Sequence, residues 1–460
     1  MTSAAARERL GPCAAGAAIF GAWAAAIALA SSLAVKAVLL APALVVPLIW
    51  WTLKAEQRWI FLFFAAALLL PPFPIAIGDS GPHICLLFAG LGLLAGVLRA
   101  GGWRIDLRGP GAPLVALFAI LLSTVAFAAF DSGLAPAAGS LARVMLFGIS
   151  VHVYFYTRGP APRLDLLFGI AAASALFACV DFYFQFPAPA GYGPQFVWLD
   201  SGVYRRAQGV FYEASTLGNF CAFFLVMVAV ALSQPRSQSP VPRKLLYAGG
   251  ASFLAALVLS YSRASLVCVA IALVVLAWRS RGRARVARLL LLLPAGTGAG
   301  LLLVWRVFPL FAQTYWLRLS ASAEYLFSAT EGVLSGRVES WQMLAAWIAG
   351  HPWQTLVGIG YKTLPYTDYL GAPVVADNMY LSLLVETGVA GLAALIWLNV
   401  AILRAAARAS RSGDPRRAFY GTWMLCFWAG ETVQMASGDI LTYWRVLPLY
   451  FWVLALAAKA

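Results

Sequence analysis

An all-α polytopic integral membrane protein is the fold class this sequence predicts, with about 12–14 transmembrane helices and one large helical external loop. Three observations carry that expectation. The 460 residues are 62% hydrophobic and only 11% charged, where a soluble domain carries about 25% charged residues. Apolar runs near the roughly 20 residues needed to cross a bilayer recur along the whole chain, and most lack the polar stripe of a helix on a soluble core. Finally, the basic residues gather between alternate runs.

In order, the runs lie near 13–33, 36–53, 59–77, 83–99, 112–130, 139–157 and 164–184. They continue at 211–233, 245–261, 264–278, 286–308, 377–403, 418–434 and 441–458. With the N-terminus inside, alternation puts most of the 33 Lys and Arg on one side. They fall at the N-terminus (Arg7, Arg9), 54–58, 99–110, 158–163, 234–244, 279–288, 404–417 and Lys459. Cytoplasmic segments are enriched in Lys and Arg, so both termini are expected in the cytoplasm. The net charge of +15 is thus a topology signal aided by anionic membrane lipids, and nucleic acid is not an expected partner.

Most external connections are short: 78–82, 131–138, 262–263 and 435–440. Two are long, 185–210 and 309–376, and their aromatic content argues against disorder. Within the second, Trp341, Leu344, Ala345 and Ile348 recur at helical spacing and predict a helix over 337–349. Ser335 and Gly336 can cap its start, and Gly350, His351 and Pro352 end it. A second external helix is expected at 311–329. No internal repeat or soluble module stands out, so 1–460 reads as a single membrane domain.

The six cysteines are scattered through apolar runs without CxxC or metal spacing, and the three histidines are unpaired in sequence. Neither a disulfide nor a metal or other cofactor is expected.

Charges that break the inside bias need a reason, because charge in a bilayer is costly and faces a cavity or a partner. The basic ones are Lys36, Arg143, Arg205, Arg206, Arg263, Arg306, Arg318, Arg337, Lys362 and Arg445. Arg205, Arg206, Arg263 and Arg337 fall at one external level, where guanidinium forks suit phosphate or diphosphate oxygens. Ion pairing or snorkelling to head groups is the plainer reading of any one of them. Acidic residues on that side are Asp79, Glu213, Asp377, Glu386, Glu431 and Asp439. Asp377 precedes a span and reads either as a helix N-cap or as a general base. Glu386, nine residues on, lies roughly 13–14 Å deeper along an ideal helix and is not expected to share its site unless the cavity is deep.

SGR before a Trp-bearing helix, then HPWQTLVGIGY, then ADNMYLSLLVETGVAGL, resembles the C-terminal signature of the O-antigen ligase/polymerase family. That family includes O-antigen ligases, polysaccharide polymerases and related O-oligosaccharyltransferases. Its His-[Asn/Ser/Gln]-x9-Gly-x-x-Gly pattern is met in spacing by Asp377-Asn378, nine residues, and Gly388-Val389-Ala390-Gly391. RRAQGVFYEASTLGNF (205–220) resembles the family's upstream Arg-x-x-Gly segment, and YSRAS (261–265) its Ser-Arg turn. The likeness covers 205–400. It departs from the pattern in one place, where Asp377 stands for the family histidine.

The resemblance implies a metal-independent inverting glycosyltransferase of the bacterial inner membrane with a periplasmic site. The donor it implies is a glycan on undecaprenyl diphosphate. The acceptor is a hydroxyl of another glycan, of lipid A core or of another molecule. Arg206 and Arg337 match the arginines that hold the diphosphate, Arg263 joins them, and Arg205 is the neighbouring alternative to Arg206. Asp377 would accept the acceptor proton, with Asn378, Lys362 and Tyr361 as further substrate contacts. A transporter or flippase of lipid-linked glycan is the competing reading. It predicts repeated halves and helices broken within the membrane.

Overall fold

In the computed structural model the described residues are 18–55, 57–73, 82–99, 105–158, 163–188, 192–199, 202–235, 238–279, 337–366 and 374–459, with short pieces between 305 and 317. The chain divides into two compact units, Met1–Trp59 and Ile60–Ala460. The expected span at 286–308, almost all of the expected helix at 311–329, the Ser335–Gly336 cap and Asp79 lie outside the described residues.

The first unit holds α1 (Ala18–Leu29) and α2 (Leu33–Lys54). The Ser32 hydroxyl caps α2 by accepting from the Val35 amide, as N-cap serines do. The Trp23 indole donates to the Leu39 carbonyl at 2.9 Å. At the end of α2, Lys54 and Arg58 sit over the rings of Trp50 and Trp51. Paired indoles and cations of this kind suit a membrane–water interface.

α3 (Arg58–Leu69) leads into the second unit, where α4 (Cys85–Leu98), α5 (Gly111–Asp131), α6 (Leu134–Tyr156) and α7 (Leu164–Phe184) follow. A short hairpin comes next, β1 (Phe196–Leu199) with β2 (Gly202–Arg205), antiparallel, with Phe196 opposite Arg205. Then come α8 (Ala214–Ser233), α9 (Arg243–Leu259), α10 (Arg263–Arg279), α11 (Arg337–Gly350), α12 (Pro352–Val357), α13 (Met379–Ala409), α14 (Pro415–Gln434) and α15 (Leu447–Lys459). The protein is thus an all-α polytopic membrane protein. Five described helices, α5, α6, α7, α8 and α13, are long and apolar enough to cross a bilayer. α9, α10 and α14 correspond closely to predicted runs. α15 begins at Leu447, not near 441, because the residues before it are spent on a polar corner described below.

Burial sorts the bundle. Leu447 through Ala457 of α15 are buried without interruption, and most of α8 is buried too. α5, α6 and α7 keep apolar faces exposed, as lipid-facing helices do. The central helices are held by polar ties that hydrocarbon makes selective. Asn219 donates to Glu431 at 2.6 Å and accepts from the Tyr450 hydroxyl. Trp428 donates to Asn399 at 3.0 Å. Gly218 and Gly430 let α10 approach α8 and α14 closely, since a Cβ on either would meet Ser262 or the Cys268 carbonyl at 2.5 Å or less.

One end of the second unit collects basic residues. Arg99 donates to the Tyr156 hydroxyl at 2.8 Å, Arg279 to Ser410 at 2.9 Å, and Arg417 to the Ala457 and Ala458 carbonyls. Lys459 reaches the Tyr154 and Phe155 carbonyls. These bonds gather the C-terminal ends of α4, α6, α10, α13 and α15 with the N-terminal end of α14, the ends that alternation assigns to one side. Basic side chains there also satisfy carbonyls that the last helical turns leave unpaired.

α11 confirms the predicted helix with one shift in its inward face. Leu344 and Trp347 are buried and Ile348 packs beside them, whereas Ala345 is exposed. The larger indole claims the contact with Ile359, Leu364, Val374, Ala376 and Val385. The His351 ring stacks on Trp347 and its Nδ1 lies 3.0 Å from the Trp347 carbonyl.

α13 is broken. Gly388 has φ 73 and ψ −174, a region essentially open only to glycine. The Ile359 amide donates to the Val385 carbonyl and the Gly360 amide to the Glu386 carbonyl, at 3.2 and 2.8 Å. A Cβ on Gly388 would stand 2.3 Å from the Leu356 carbonyl oxygen, and one on Gly358 2.6 Å from that of Glu386. Backbone therefore packs on backbone at this junction. Gly388→Ala is expected to cost about 1–3 kcal/mol and to lower the thermal unfolding midpoint of the purified protein in detergent. An unchanged midpoint would contradict the geometry.

Candidate functional site

The end of the second unit opposite its basic end is built around the last turn of α14. Two corners are tied to it. The first holds Arg206, whose Nε donates to the Ser260 carbonyl at 2.8 Å. This brings the guanidinium beside the 260–263 turn, where half-buried Arg263 opens α10. Two residues on, the Ser265 hydroxyl accepts from Gln434 Nε2 at 3.3 Å. The second corner holds Asp377. Three residues later the Tyr380 hydroxyl donates to the Thr432 carbonyl at 2.6 Å. The Trp341 indole donates to the Ala376 carbonyl at 2.7 Å, so α11, which begins at Arg337, is docked directly beside Asp377. Arg206 with Arg263, and Asp377 with the start of α11, therefore bracket Thr432 and Gln434.

Local chemistry separates residues that sequence left as alternatives. Arg205 is paired with Asp181 at 3.6 Å, both side chains largely buried, so its charge is matched within the fold. Its neighbour Arg206 points to the turn instead, because the two follow one another at the end of β2 and project to opposite sides. The N-cap of α13 is Asn378, whose Oδ1 accepts from the amides of Tyr380 and Leu381 at 3.0 and 3.2 Å. Asp377 does not cap. It sits half-buried with φ 43, a left-handed conformation that Asp tolerates better than most residues.

Tyr361 and Lys362 go elsewhere. They line a cavity of about 570 Å³ together with Arg143, Glu213 and Arg445. Lys362 is ion-paired with Asp439. Burial pulls the Lys362 ammonium toward its neutral form, but the Asp439 and Glu386 carboxylates outweigh it and hold it above the usual lysine range. A raised lysine value means the pair contributes in full below the ordinary lysine value near 10.4 and fades only as pH climbs through the folded one. Burial, then the nearby carboxylates, pushes the phenols of Tyr361 and Tyr443 well above their usual value, so both face the cavity as neutral hydrogen-bonding groups.

Glu386 is also drawn in. Because the break at Gly388 folds the 358–364 backbone against α13, the buried Glu386 carboxylate accepts from the amides of Lys362 and Leu364. Depth along the helix, the measure the sequence offered for Glu386, did not foresee this link to Lys362. In sequence Arg143 and Arg445 were visible only as basic residues that break the inside bias, and Glu213 and Asp439 only as acidic residues on that same side. That signal marked them as in need of partners without saying they share a cavity. Among the described residues, no group of three or more His, Cys, Asp or Glu is arranged to hold a metal ion.

Residues 248–396, about a third of the chain, match the family model described as O-Antigen ligase. That stretch is similar to the O-antigen ligase family. The O-antigen ligase region contains Arg263, Arg337, Tyr361, Lys362, Asp377, Asn378 and the Gly388 break, while Arg205, Arg206 and Glu213 precede it. The match supports glycan transfer of the O-antigen ligase kind in general. A search of curated proteins gave no match.

The two neighbours at the start of α13 are separable by mutation. Asn378→Ala is expected to cost about 0.5–2 kcal/mol through the lost cap, read as a lower unfolding midpoint, while Asp377→Gly, which keeps the left-handed backbone open, lowers it less. Equal losses in both would return Asp377 to a capping role.

Proposed function

We propose that this chain transfers a glycan from undecaprenyl diphosphate to a hydroxyl acceptor at the periplasmic face of the bacterial inner membrane. The observation that carries the reading is the bracketing of one helix end by the Arg206–Arg263 corner and the Asp377–α11 corner, three of whose four motif positions fall inside the O-antigen ligase region. In this reading Arg206, Arg263 and Arg337 hold the diphosphate. Guanidinium forks match its oxygens, and the charge that grows on the leaving group is stabilised by groups already in position.

Asp377 takes the proton from the acceptor hydroxyl as its oxygen attacks the anomeric carbon. The bond from that carbon to the diphosphate oxygen breaks on the opposite face, so the configuration inverts. Arginine supplies the neutralising charge, and the reaction needs no metal. Most basic segments sit at the opposite ends of the helices, which supports a cytoplasmic location for both termini and a periplasmic one for the site.

The test is the pool of lipid-linked glycan in a strain lacking this gene. Accumulated single repeat units identify a polymerase, and accumulated full-length polymer a ligase. Arg337→Lys supplied in trans leaves the block in place, because a point charge does not reproduce the fork. Asp377→Ala also leaves it, whereas Asp377→His restores product. An unchanged pool in the deletion strain would overturn glycan transfer, and wild-type product from Arg337→Lys would remove that residue from the site.

A further inference from the structure

The cavity that takes in Tyr361 and Lys362 has walls unlike those of a diphosphate site. Neither Arg206, Arg263 nor Asp377 lines it. Its volume of about 570 Å³ falls in the range of pockets that bury small ligands, about 300–1,000 Å³. Of its three cations, Arg143, Lys362 and Arg445, the last two are tied to partners within the fold. Lys362 pairs with Asp439, and the Arg445 guanidinium donates to the Val210 and Phe211 carbonyls. Glu213, a carboxylate, stands in the same wall and accepts from the Ser215 and Thr216 hydroxyls at 3.1 and 2.5 Å. A carboxylate facing the ligand repels phosphate but welcomes hydroxyl donors.

The remaining wall is aromatic and built in advance. The rings of Tyr192 and Tyr212 lie 4.9 Å apart. Buried Gln208 ties them in place, donating to the Gly193 carbonyl at 3.1 Å and the Tyr212 carbonyl at 2.7 Å while accepting from the Gln195 amide. Tyr212 adopts φ 55 and ψ 17, a conformation rare for a bulky side chain and kept only where surroundings enforce it. Trp444 and Tyr443 complete the lining. Hydrogen-bonding groups of both kinds, set among flat rings with polar edges, match a molecule whose ring faces are C–H and whose rim is hydroxyl.

We propose that this cavity is a saccharide site that holds the acceptor glycan, with Tyr192 and Tyr212 as the stacking platform and Glu213 as a hydroxyl contact. The acceptor role rests on the transfer reading above, and the saccharide chemistry does not. The site separates the two substrates in space. Diphosphate lies with the arginines at the end of α14, and the acceptor sugars lie in the cavity walled by the 192–195 loop, the start of α8 and the 441–445 segment.

The experiment measures calorimetric binding of two probes to the full-length protein in detergent: a repeat-unit oligosaccharide cut from the host's own surface polysaccharide, and inorganic pyrophosphate. Tyr192→Leu is expected to weaken oligosaccharide binding by about tenfold or more while leaving pyrophosphate binding unchanged. Glu213→Gln weakens the oligosaccharide in the same direction. In a transfer assay both variants raise the KM for acceptor and leave that for donor unchanged.

Failure of the oligosaccharide to bind the parent protein at millimolar concentration would overturn the proposal, as would equal binding by parent and both variants. Displacement of the oligosaccharide by pyrophosphate would reassign the cavity to the diphosphate. If the oligosaccharide binds through Tyr192 yet the deletion strain keeps a normal pool of lipid-linked glycan, the saccharide site stands and the transfer reading falls.

Discussion

The break in α13 at Gly388 is the constraint on which the end of the second unit around the last turn of α14 depends. A helix that stops inside a bundle leaves carbonyls without partners, and away from water each is costly. Here the chain supplies the partners itself, the amides of Ile359 and Gly360. The contact is possible only because Gly358 and Gly388 carry no Cβ where backbone meets backbone, while Gly360 carries none where it meets Ala128 of α5. Once the 356–364 segment is fixed there, Tyr361 and Lys362 face the cavity, Glu386 meets the amides of Lys362 and Leu364, and Lys362 meets Asp439. Spacing between Asp377-Asn378 and Gly388 then has a physical meaning. It is the length of the short helix that starts at the cap and ends at the break.

The rest of the bundle holds this end still. α8, α14 and α15 are cross-linked by Asn219, Glu431 and Tyr450, and Trp423 donates to the Phe223 carbonyl at 2.8 Å. Such bonds are specific in a medium where apolar contact alone does not favour one helix pairing over another. The last turn of α14 emerges from that core with Thr432 and Gln434 turned to the two corners. The 440–446 residues that follow carry Tyr443, Trp444 and Arg445 into the cavity before α15 begins.

Hydropathy and charge asymmetry made the helices readable, since burial in lipid imposes length and apolarity on each span. α11 was readable from its periodic face, apart from the exchange of Ala345 for Trp347, where a rotation of the inward face brings the larger side chain into contact. The hairpin at Phe196–Arg205 was not legible, because four-residue strands inside an aromatic-rich loop carry too little alternation to stand out. Nor was the role of Asn378. Asp and Asn cap equally well, and only the left-handed backbone at Asp377 shifts the cap one residue on. The cavity escaped sequence reading because its walls come from five stretches far apart in the chain. Arg143, Glu213 and Arg445 each looked like a separate anomaly.

A broken membrane helix is also a feature of transporters, so the sharpest question is whether the glycosyl–phosphate bond is cut. Release of undecaprenyl diphosphate by the reconstituted protein, given lipid-linked glycan with and without acceptor, answers it most directly. The account predicts release that requires acceptor and matches the glycan transferred, and that is lost in Arg206→Lys. Movement of intact lipid-linked glycan across the bilayer with no release of undecaprenyl diphosphate would contradict it.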